Sequence, residues 1–211
     1  MLLIKHGTYE REFFPGGITA MELNLSEQKQ RFLDICHDKI HRDGLDALLD
    51  WLCKVDFFEA PASTKYHGAY AGGLCQHSLD VYEYAQKLAF LSPRPIPEES
   101  LAIATLFHDV CKCNLYKTEY RNQKINGEWQ QVPAYVIDER FPFGGHGSKS
   151  VYQVQYFMKL EPVEAAAINC HMGFSDGNAI TVRDVSKAYQ EYSLAWITHV
   201  ADEAATYLLK R

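Results

Sequence analysis

The chain has 211 residues, 47% of them hydrophobic, which is enough apolar material for one domain with a sizeable core. Its formal net charge of −6 argues against non-specific binding to nucleic acid, because such binding depends on clustered Lys and Arg. The sequence shows no signal peptide, no apolar run near the ~20 residues of a membrane span, and no CxxC pair. We therefore expect a cytoplasmic protein with reduced thiols and no membrane association.

The first sixty residues are expected to form an irregular segment followed by helices that pack on the core. Residues 1–25 contain helix-breaking Pro and Gly. Apolar residues recur at every fourth position of 26–40, which is typical of an amphipathic helix. A shorter Leu-faced helix is predicted for 45–52.

The middle of the sequence predicts two further helices separated by a proline-rich linker. The first covers about 74–91, and Pro93, Pro95 and Pro97 follow it. The second, 98–111, is apolar on nearly every side, which is typical of a helix in the centre of a bundle.

The segment 120–137 has a different character, with many Tyr, Gln and Val residues around Asn126-Gly127. Because Asn-Gly between β-prone runs is a strong hairpin signal, we predict a β-hairpin insertion at about 116–140. Helices are expected to resume at 147–160, 162–171 and 183–210. The fold class is thus an all-α helical bundle with a small inserted β-hairpin, and 61–211 is expected to form the main domain.

Several polar residues occupy predicted core-facing helix positions, namely His77, His108, Asp109, His171 and Asp202. A buried carboxylate is costly unless it is paired or coordinates a metal. Helical bundles build metal sites from inward His and acidic side chains on several helices. A single inward His is more often a hydrogen-bonded core residue, and a second His-Asp dipeptide, His37-Asp38, has the charged neighbours of a solvated surface.

Five segments together resemble the HD-domain phosphohydrolase superfamily over about 66–209. They are Gly72–Leu79, Leu106–Lys112, Gly145–Gly147, His171–Gly173 and His199–Asp202. The resemblance places the family's basic ligand set, in chain order, at His77, His108, Asp109 and Asp202. Members with two metals add two histidines, which correspond here to His146 and His171.

One part of the central segment departs from the family's common His-Asp-Ile-Gly-Lys form. Val110 and Cys111 stand at the Ile and Gly positions. Neither is a ligand position in the family, so the departure is expected to affect local packing only.

The resemblance implies a site with two divalent metal ions, of which Mn or Fe is preferred and Zn, Co, Ni or Mg are alternatives. One ion would be held by His77, His108, Asp109 and Asp202. Asp109 would bridge to the second ion, which His146 and His171 would complete. Two adjacent ions polarise phosphoryl oxygens and activate a water molecule, so no Ser or Cys nucleophile is required.

Two residues are expected to take part in catalysis directly, and four others are expected to contribute more weakly. Asp109 and Lys112 are the predicted catalytic residues, with Lys112 placing its charge on the substrate phosphate; the alternative is that Lys112 only caps a helix. The remaining candidates, for which ordinary loop or packing roles are the alternative, are His67, Ser148 and Lys149 as substrate contacts and His199 as a partner of a metal ligand.

The resulting hypothesis is a metal-dependent phosphohydrolase acting on a phosphomonoester or phosphodiester of a nucleotide or short oligonucleotide. The acidity of the chain favours a small nucleotide over nucleic acid. The alternatives are a mixed-valent di-iron oxygenase of the same superfamily and a non-catalytic module that binds metal or nucleotide.

Overall fold

The computed structural model describes residues 24–176 and 179–209, within which eight α-helices and one β-hairpin form. The helices are α1 (Leu25–Lys39), α2 (Leu45–Lys54), α3 (Gly73–Phe90), α4 (Glu98–Leu106), α5 (His146–Phe157), α6 (Pro162–Asn169), α7 (Ala179–Glu191) and α8 (Ser193–Leu208). The strands are β1 (Tyr116–Ile125) and β2 (Glu128–Ile137), and short 3-10 helices form at Val110–Lys112 and Gly173–Asp176. The expected all-α fold with a small hairpin is confirmed, while residues 1–23 of the predicted N-terminal segment lie outside the described part.

The centre of the bundle is α4, whose residues from Leu101 to Leu106 are all buried. It packs against α1, α3, α6 and α8. A helix without a polar face must be covered on every side, so the central position follows directly from its composition. The segments that follow α4 along the chain therefore start deep inside the molecule.

The N-terminal helices share this core. α1 begins at a capping box, in which the side chain of Asn24 bonds the backbone of Glu27 and the side chain of Glu27 bonds back. The ring of Phe32 on α1 lies 5.0 Å from that of Phe57 and 6.0 Å from that of Phe107. α1 thus packs on the same apolar cluster as the helices that carry the predicted ligands.

A partly buried ionic cluster joins the connection between α1 and α2 to α4 and α6. Arg42 bonds both Glu164, at 2.5 Å, and Glu99, at 2.9 Å. Glu164 is fully buried and also accepts hydrogen bonds from the hydroxyl of Ser100 and the backbone N–H of Glu161, both at 2.8 Å. Every charge in this cluster has an opposite charge beside it, as a stable buried ion pair requires.

α4 ends at Leu106, so the prediction of a helix to residue 111 is wrong. The ring Nδ1 of His108 bonds the carbonyl of Thr105 at 2.7 Å, where a continuing helix would place the backbone N–H of residue 109. The side chain thus replaces the next backbone hydrogen bond. His108 and Asp109 lie in the turn after the helix rather than on its face.

The predicted helix 183–210 is also wrong, because the structure has two helices in this region. α7 starts earlier, at Ala179, and the backbone is extended at Tyr192 before α8 begins. No Gly or Pro marks the break, so local sequence gives no signal for it. The break lets α8 pack along α3, α4 and α6 while α7 packs against α8.

The inserted hairpin is a two-stranded antiparallel ribbon in which Tyr116 pairs with Ile137. Asn126 and Gly127 form its turn with φ values of 51° and 92°. Positive φ at both positions is what a tight hairpin turn needs, and Asn and Gly adopt it most readily. Most of the ribbon is exposed, including Trp129. No helix in the described residues combines the length and apolarity of a membrane span.

Candidate metal centre

Four separate segments bring imidazole and carboxylate groups to one place. His77 lies on α3, His108 and Asp109 lie in the turn after α4, His171 follows α6, and Asp202 lies on α8. Two potential ligand groups share this place, with ligand atoms within 4.8 Å of one another: His77, His108 and Asp109 in one, and His108, His171 and Asp202 in the other.

Two of the histidines are oriented by the helices that they follow. The ring Nδ1 of His108 lies 2.7 Å from the carbonyl of Thr105, and that of His171 lies 2.7 Å from the carbonyl of Ile168. A carbonyl only accepts hydrogen bonds, so Nδ1 carries a proton in both rings. In the neutral ring the lone pair is then on Nε2, which is the usual arrangement of a metal-binding histidine.

The Nε2 lone pair of His108 faces another imidazole nitrogen. His77 Nε2 lies 3.3 Å from His108 Nε2 and 3.0 Å from Asp202 Oδ1. Two ligands bound at ~2.1 Å to one ion would lie roughly 3.0–3.4 Å apart for bond angles of about 90–110°. The observed spacings therefore match neighbouring ligands of a single cation.

The two oxygens of Asp109, which is 2% exposed, have different neighbours. Oδ2 lies 3.4 Å from His108 Nε2 and 2.6 Å from Lys112 Nζ. Oδ1 lies 3.5 Å from His171 Nε2 and 4.0 Å from Cys111 Sγ. One carboxylate therefore borders two groups of potential ligands, a different one on each oxygen.

The pKa values of Asp109 and Asp202 both lie below the usual range of an aspartate. Burial favours the neutral carboxyl, but the ammonium of Lys112 and the ring of His108 outweigh it and hold the pKa of Asp109 well below its usual range. Burial likewise raises the pKa of Asp202, but a hydrogen bond from His77 and the charges of the surrounding imidazoles together lower that pKa. Burial lowers the pKa of Lys112, and Asp109 more than offsets this, so the ammonium stays charged.

The Nε2 atom of His171 is buried and has no hydrogen-bond partner among the described residues. Its distance to Asp109 Oδ1 is 3.5 Å, too long for a good hydrogen bond. Leaving a buried polar atom without a partner costs roughly 1–3 kcal/mol. A coordinated cation would satisfy this atom, so the donor set fits a metal ion.

A third potential ligand group contains Asp109, Cys111 and His146, whose ligand atoms also lie within 4.8 Å of one another. Cys111 Sγ is 3.4 Å from His146 Nδ1. His146 starts α5, and the next residue, Gly147, touches the end of α6 so closely that a Cβ there would collide with the Asn169 carbonyl. This approach brings His146 toward the end of α6, which His171 follows.

Cys111 was not among the expected ligands. Burial and the nearby charge of Asp109 raise the pKa of its thiol to about 12 in the metal-free protein. The sequence carried a signal for it, since Cys111 stands where the common HD motif has Gly, but that departure was expected to affect packing alone.

The profile that describes the HD domain matches residues 74–206, well over half of the chain. This chain belongs to the HD domain family. Such domains are generally metal-dependent phosphohydrolases, and together with the ligand groups described above, family membership indicates a metal-dependent hydrolase. No match to the chain was found among curated proteins or among solved structures.

Lys112 lies beside the cluster of the HD domain, with its ammonium 2.6 Å from Asp109 Oδ2. Its side chain is 11% exposed, so the charge lies near the protein surface as well as near the aspartate. This position suits contact with a bound anion. The expected role of Lys112 toward a substrate phosphate remains a prediction.

His67 lies against the cluster and His199 lies behind it. The centre of the His67 ring is 4.9 Å from that of the His77 ring. Burial, and to a smaller extent the neighbouring His77, lower the pKa of His67 to about 4. His199 Nδ1 lies 2.7 Å from the backbone carbonyl of His171. Gly173 makes this approach possible, since a Cβ there would collide with the His199 ring. His199 therefore contacts the backbone of a candidate ligand rather than Asp202.

Ser148 and Lys149, expected as substrate contacts, have other partners in the HD domain. The Ser148 hydroxyl bonds Asn169 at 2.8 Å on an exposed surface. The ammonium of Lys149 is buried and forms an ion pair with Glu139. Lys149 and Cys111 also border one cavity of about 430 Å³. The substrate roles of Ser148 and Lys149 remain predictions.

Proposed function

We propose that this HD domain is a two-metal phosphohydrolase that cleaves a phosphomonoester or phosphodiester of a small substrate, most suitably a nucleotide. The observation that carries the proposal is the two-sided environment of Asp109. Oδ2 faces His77 and His108, while Oδ1 faces His171 and Cys111. A carboxylate bridges two cations in this way because it has two oxygens with separate lone pairs.

The proposed ligand sets combine these neighbours with the ligand order that the HD resemblance implies, and the His171 ring also lies within 4.8 Å of ligand atoms of His108 and Asp202. The first set is His77, His108, Asp109 and Asp202, and the second is Asp109, His146 and His171. When bound, two adjacent divalent ions supply charge that polarises phosphoryl oxygens and activates a water for attack. The net acidity of the chain does not oppose an anionic substrate, because bound cations set the local charge of such a site.

The protein contributes orientation. The carbonyls of Thr105 and Ile168 fix the rings of His108 and His171, so neither ring has to reorganise when a cation binds. The ammonium of Lys112 lies beside Asp109 and is placed to donate a hydrogen bond to a phosphate oxygen of the substrate. Because His108, Asp109 and His171 are buried, their electrostatic contacts are stronger than they would be in water.

A cavity bordered by Cys111, whose Sγ lies 3.4 Å from His146 Nδ1, offers room for a substrate larger than phosphate alone. Its volume of about 430 Å³ is bordered by Cys111, Trp51, Arg140 and Lys149. Ligand pockets in proteins have volumes of roughly 300–1,000 Å³. We propose that this cavity receives the part of the substrate that is not cleaved, with the exposed Arg140, which is paired with Asp138, at its border.

The test is a reconstitution assay under anaerobic conditions. Metal-free protein is supplied in turn with Mn²⁺, Fe²⁺, Zn²⁺, Co²⁺, Ni²⁺ or Mg²⁺ and offered phosphomonoesters, cyclic nucleotides and dinucleotides. We expect metal-dependent release of phosphate or nucleotide without oxygen. Turnover that requires both iron and oxygen would instead identify the di-iron oxygenase, and metal binding without any turnover would identify the non-catalytic module.

A further inference from the structure

Cys111 occupies a place in the candidate centre that its expected packing role does not explain. Its side chain is buried, with 3% of the residue exposed. Sγ lies 3.4 Å from His146 Nδ1 and 4.0 Å from Asp109 Oδ1. A thiol in the same core without such neighbours would act as a small apolar group. Here it lies between two side chains that are proposed to bind the second cation.

The spacing fits shared coordination. A zinc-type ion binds thiolate sulfur at ~2.3 Å and imidazole nitrogen at ~2.0–2.1 Å, so two such ligands at a tetrahedral angle lie about 3.5 Å apart. The observed 3.4 Å between Cys111 Sγ and His146 Nδ1 matches this value. The 4.0 Å separation from Asp109 Oδ1 corresponds to a wider angle at the same ion.

The backbone holds Cys111 in place against α5. Its N–H donates a hydrogen bond of 3.2 Å to the hydroxyl of Ser150. Ser150 lies one turn after His146 on α5, so one helix both carries the imidazole and fixes the position of the thiol. Cys113, only two residues further along, is also buried but belongs to no potential ligand group among the described residues.

We propose that Cys111 is a ligand of the second metal ion, so that this site combines Asp109, His146 and His171 with one sulfur donor. The inference rests on the proposed two-metal function and deepens it. On binding, the S–H bond is replaced by a metal–sulfur bond, and the proton leaves to the solvent. The first site keeps only nitrogen and oxygen donors, so the two sites differ in chemistry.

A sulfur donor changes which metals the second site prefers. Thiolate is a soft ligand that favours zinc and iron, whereas manganese and magnesium prefer oxygen. We therefore expect Zn²⁺, Co²⁺ or Fe²⁺ at the second site even where the first site accepts Mn²⁺. Manganese, one of the two metals favoured by the sequence, is then unsuited to half of the centre.

The competing arrangement is a hydrogen bond between Cys111 and His146 Nδ1, with the other ring nitrogen of His146 binding the metal. In that arrangement sulfur orients the imidazole and never touches the ion. The two arrangements differ in the presence of a metal–sulfur bond, which spectroscopy detects without reference to catalysis.

The test is a titration of the metal-free full-length protein with Co²⁺, followed by absorbance. We expect a thiolate-to-cobalt charge-transfer band in the near ultraviolet that grows with the second equivalent of metal. Cys111→Ser should lack the band and bind Zn²⁺ at the second site at least tenfold more weakly, with a smaller change for Mn²⁺. The matched control, Cys113→Ser, should keep both the band and the affinity.

The outcomes separate this inference from the function on which it rests. Two bound Co²⁺ ions without the band, or a band that persists in Cys111→Ser, would overturn the role of Cys111 and leave the two-metal enzyme intact. Failure of the wild-type protein to bind Co²⁺ would contradict both. If Cys111→Ser does not fold, X-ray absorption of the wild-type protein loaded with Co²⁺ replaces it. A sulfur atom at ~2.3 Å from cobalt would support the role of Cys111, and its absence would overturn that role.

Discussion

Two polar clusters in the interior of this molecule differ in whether their charged and polar groups have partners within the protein. In the cluster around Arg42, the guanidinium faces Glu99 and Glu164, and the remaining carboxylate oxygens accept hydrogen bonds from a hydroxyl and backbone groups. In the other cluster, imidazole nitrogens face each other, and Nε2 of His171 is left without a hydrogen-bond partner.

The difference identifies which cluster is built for a ligand. Both clusters join several helices and each contains a buried carboxylate, so the presence of buried charge alone does not distinguish them. The orientation of the lone pairs distinguishes them. The charged groups of the Arg42 cluster pair with other groups of the protein, whereas the imidazole lone pairs of the histidine cluster find partners only when cations bind. Substitutions in and around each cluster test this contrast.

The largest effect is expected for Asp109→Ala. Both proposed sites lose a shared ligand. In metal centres, mutation of residues that only hydrogen-bond a ligand already lowers metal affinity or activity by about 10–100-fold, so loss of a bridging ligand should lower both by more than about 100-fold. Metal analysis and the phosphatase assay measure this, and circular dichroism should show an unchanged helical content. Asp38→Ala is the matched control, since Asp38 belongs to the other His-Asp dipeptide and is 71% exposed. Normal metal content in Asp109→Ala would contradict the bridging role.

Glu164→Ala tests the Arg42 cluster. The substitution removes the nearest carboxylate of the half-buried Arg42 guanidinium and leaves the Ser100 hydroxyl and the Glu161 N–H without their acceptor, which should cost roughly 1–3 kcal/mol of the free energy of unfolding. Urea denaturation should show this loss while the folded variant keeps its metal content. Loss of metal from the folded protein would show that the two clusters are coupled rather than independent.

His146→Ala is expected to remove mainly one of two ions. His146 is grouped with Asp109 and Cys111 and is proposed to serve only the second set. Metal analysis should then show about half of the wild-type content, whereas His77→Ala should affect the first set. Retention of both ions in His146→Ala would count against its ligand role, and a single ion in the wild-type protein would reduce the centre to one metal.

A smaller effect is expected for His199→Phe. The ring of His199 bonds the carbonyl of His171 and so steadies the segment that carries a ligand. Removing this hydrogen bond should weaken metal binding by about tenfold, the lower end of the effect for such supporting residues. His199→Asn, which retains a donor, should recover part of the affinity in a metal competition assay. Loss of stability with unchanged affinity would indicate packing alone.

Much of the scaffold could be predicted because its signals are local. Apolar residues at every fourth position of 26–40 predict α1, and the lack of a polar face predicts that α4 lies at the centre. Asn126-Gly127 predicts the hairpin turn. These features depend on periodicity and backbone preference, which a single segment carries by itself.

What the sequence did not predict depends on contacts between distant segments. α4 ends at Leu106 because a side chain takes the carbonyl of Thr105, and apolar periodicity does not contain that competition. Lys149 pairs with Glu139 because the chain after the hairpin returns to α5. Cys111 meets His146 for the same reason. The order of the candidate ligands could be recognised along the chain, but the neighbours of each ligand could not.

Anomalous diffraction from crystals loaded with Co²⁺ tests the central claim most directly. The two-metal account predicts two peaks separated by ~3.5–4 Å, one on each side of the Asp109 carboxylate. The first should contact Nε2 of His77 and His108, and the second should contact His171. The account would be contradicted by a metal-loaded crystal with no peak at this cluster, or with the three imidazoles bonded only to protein atoms.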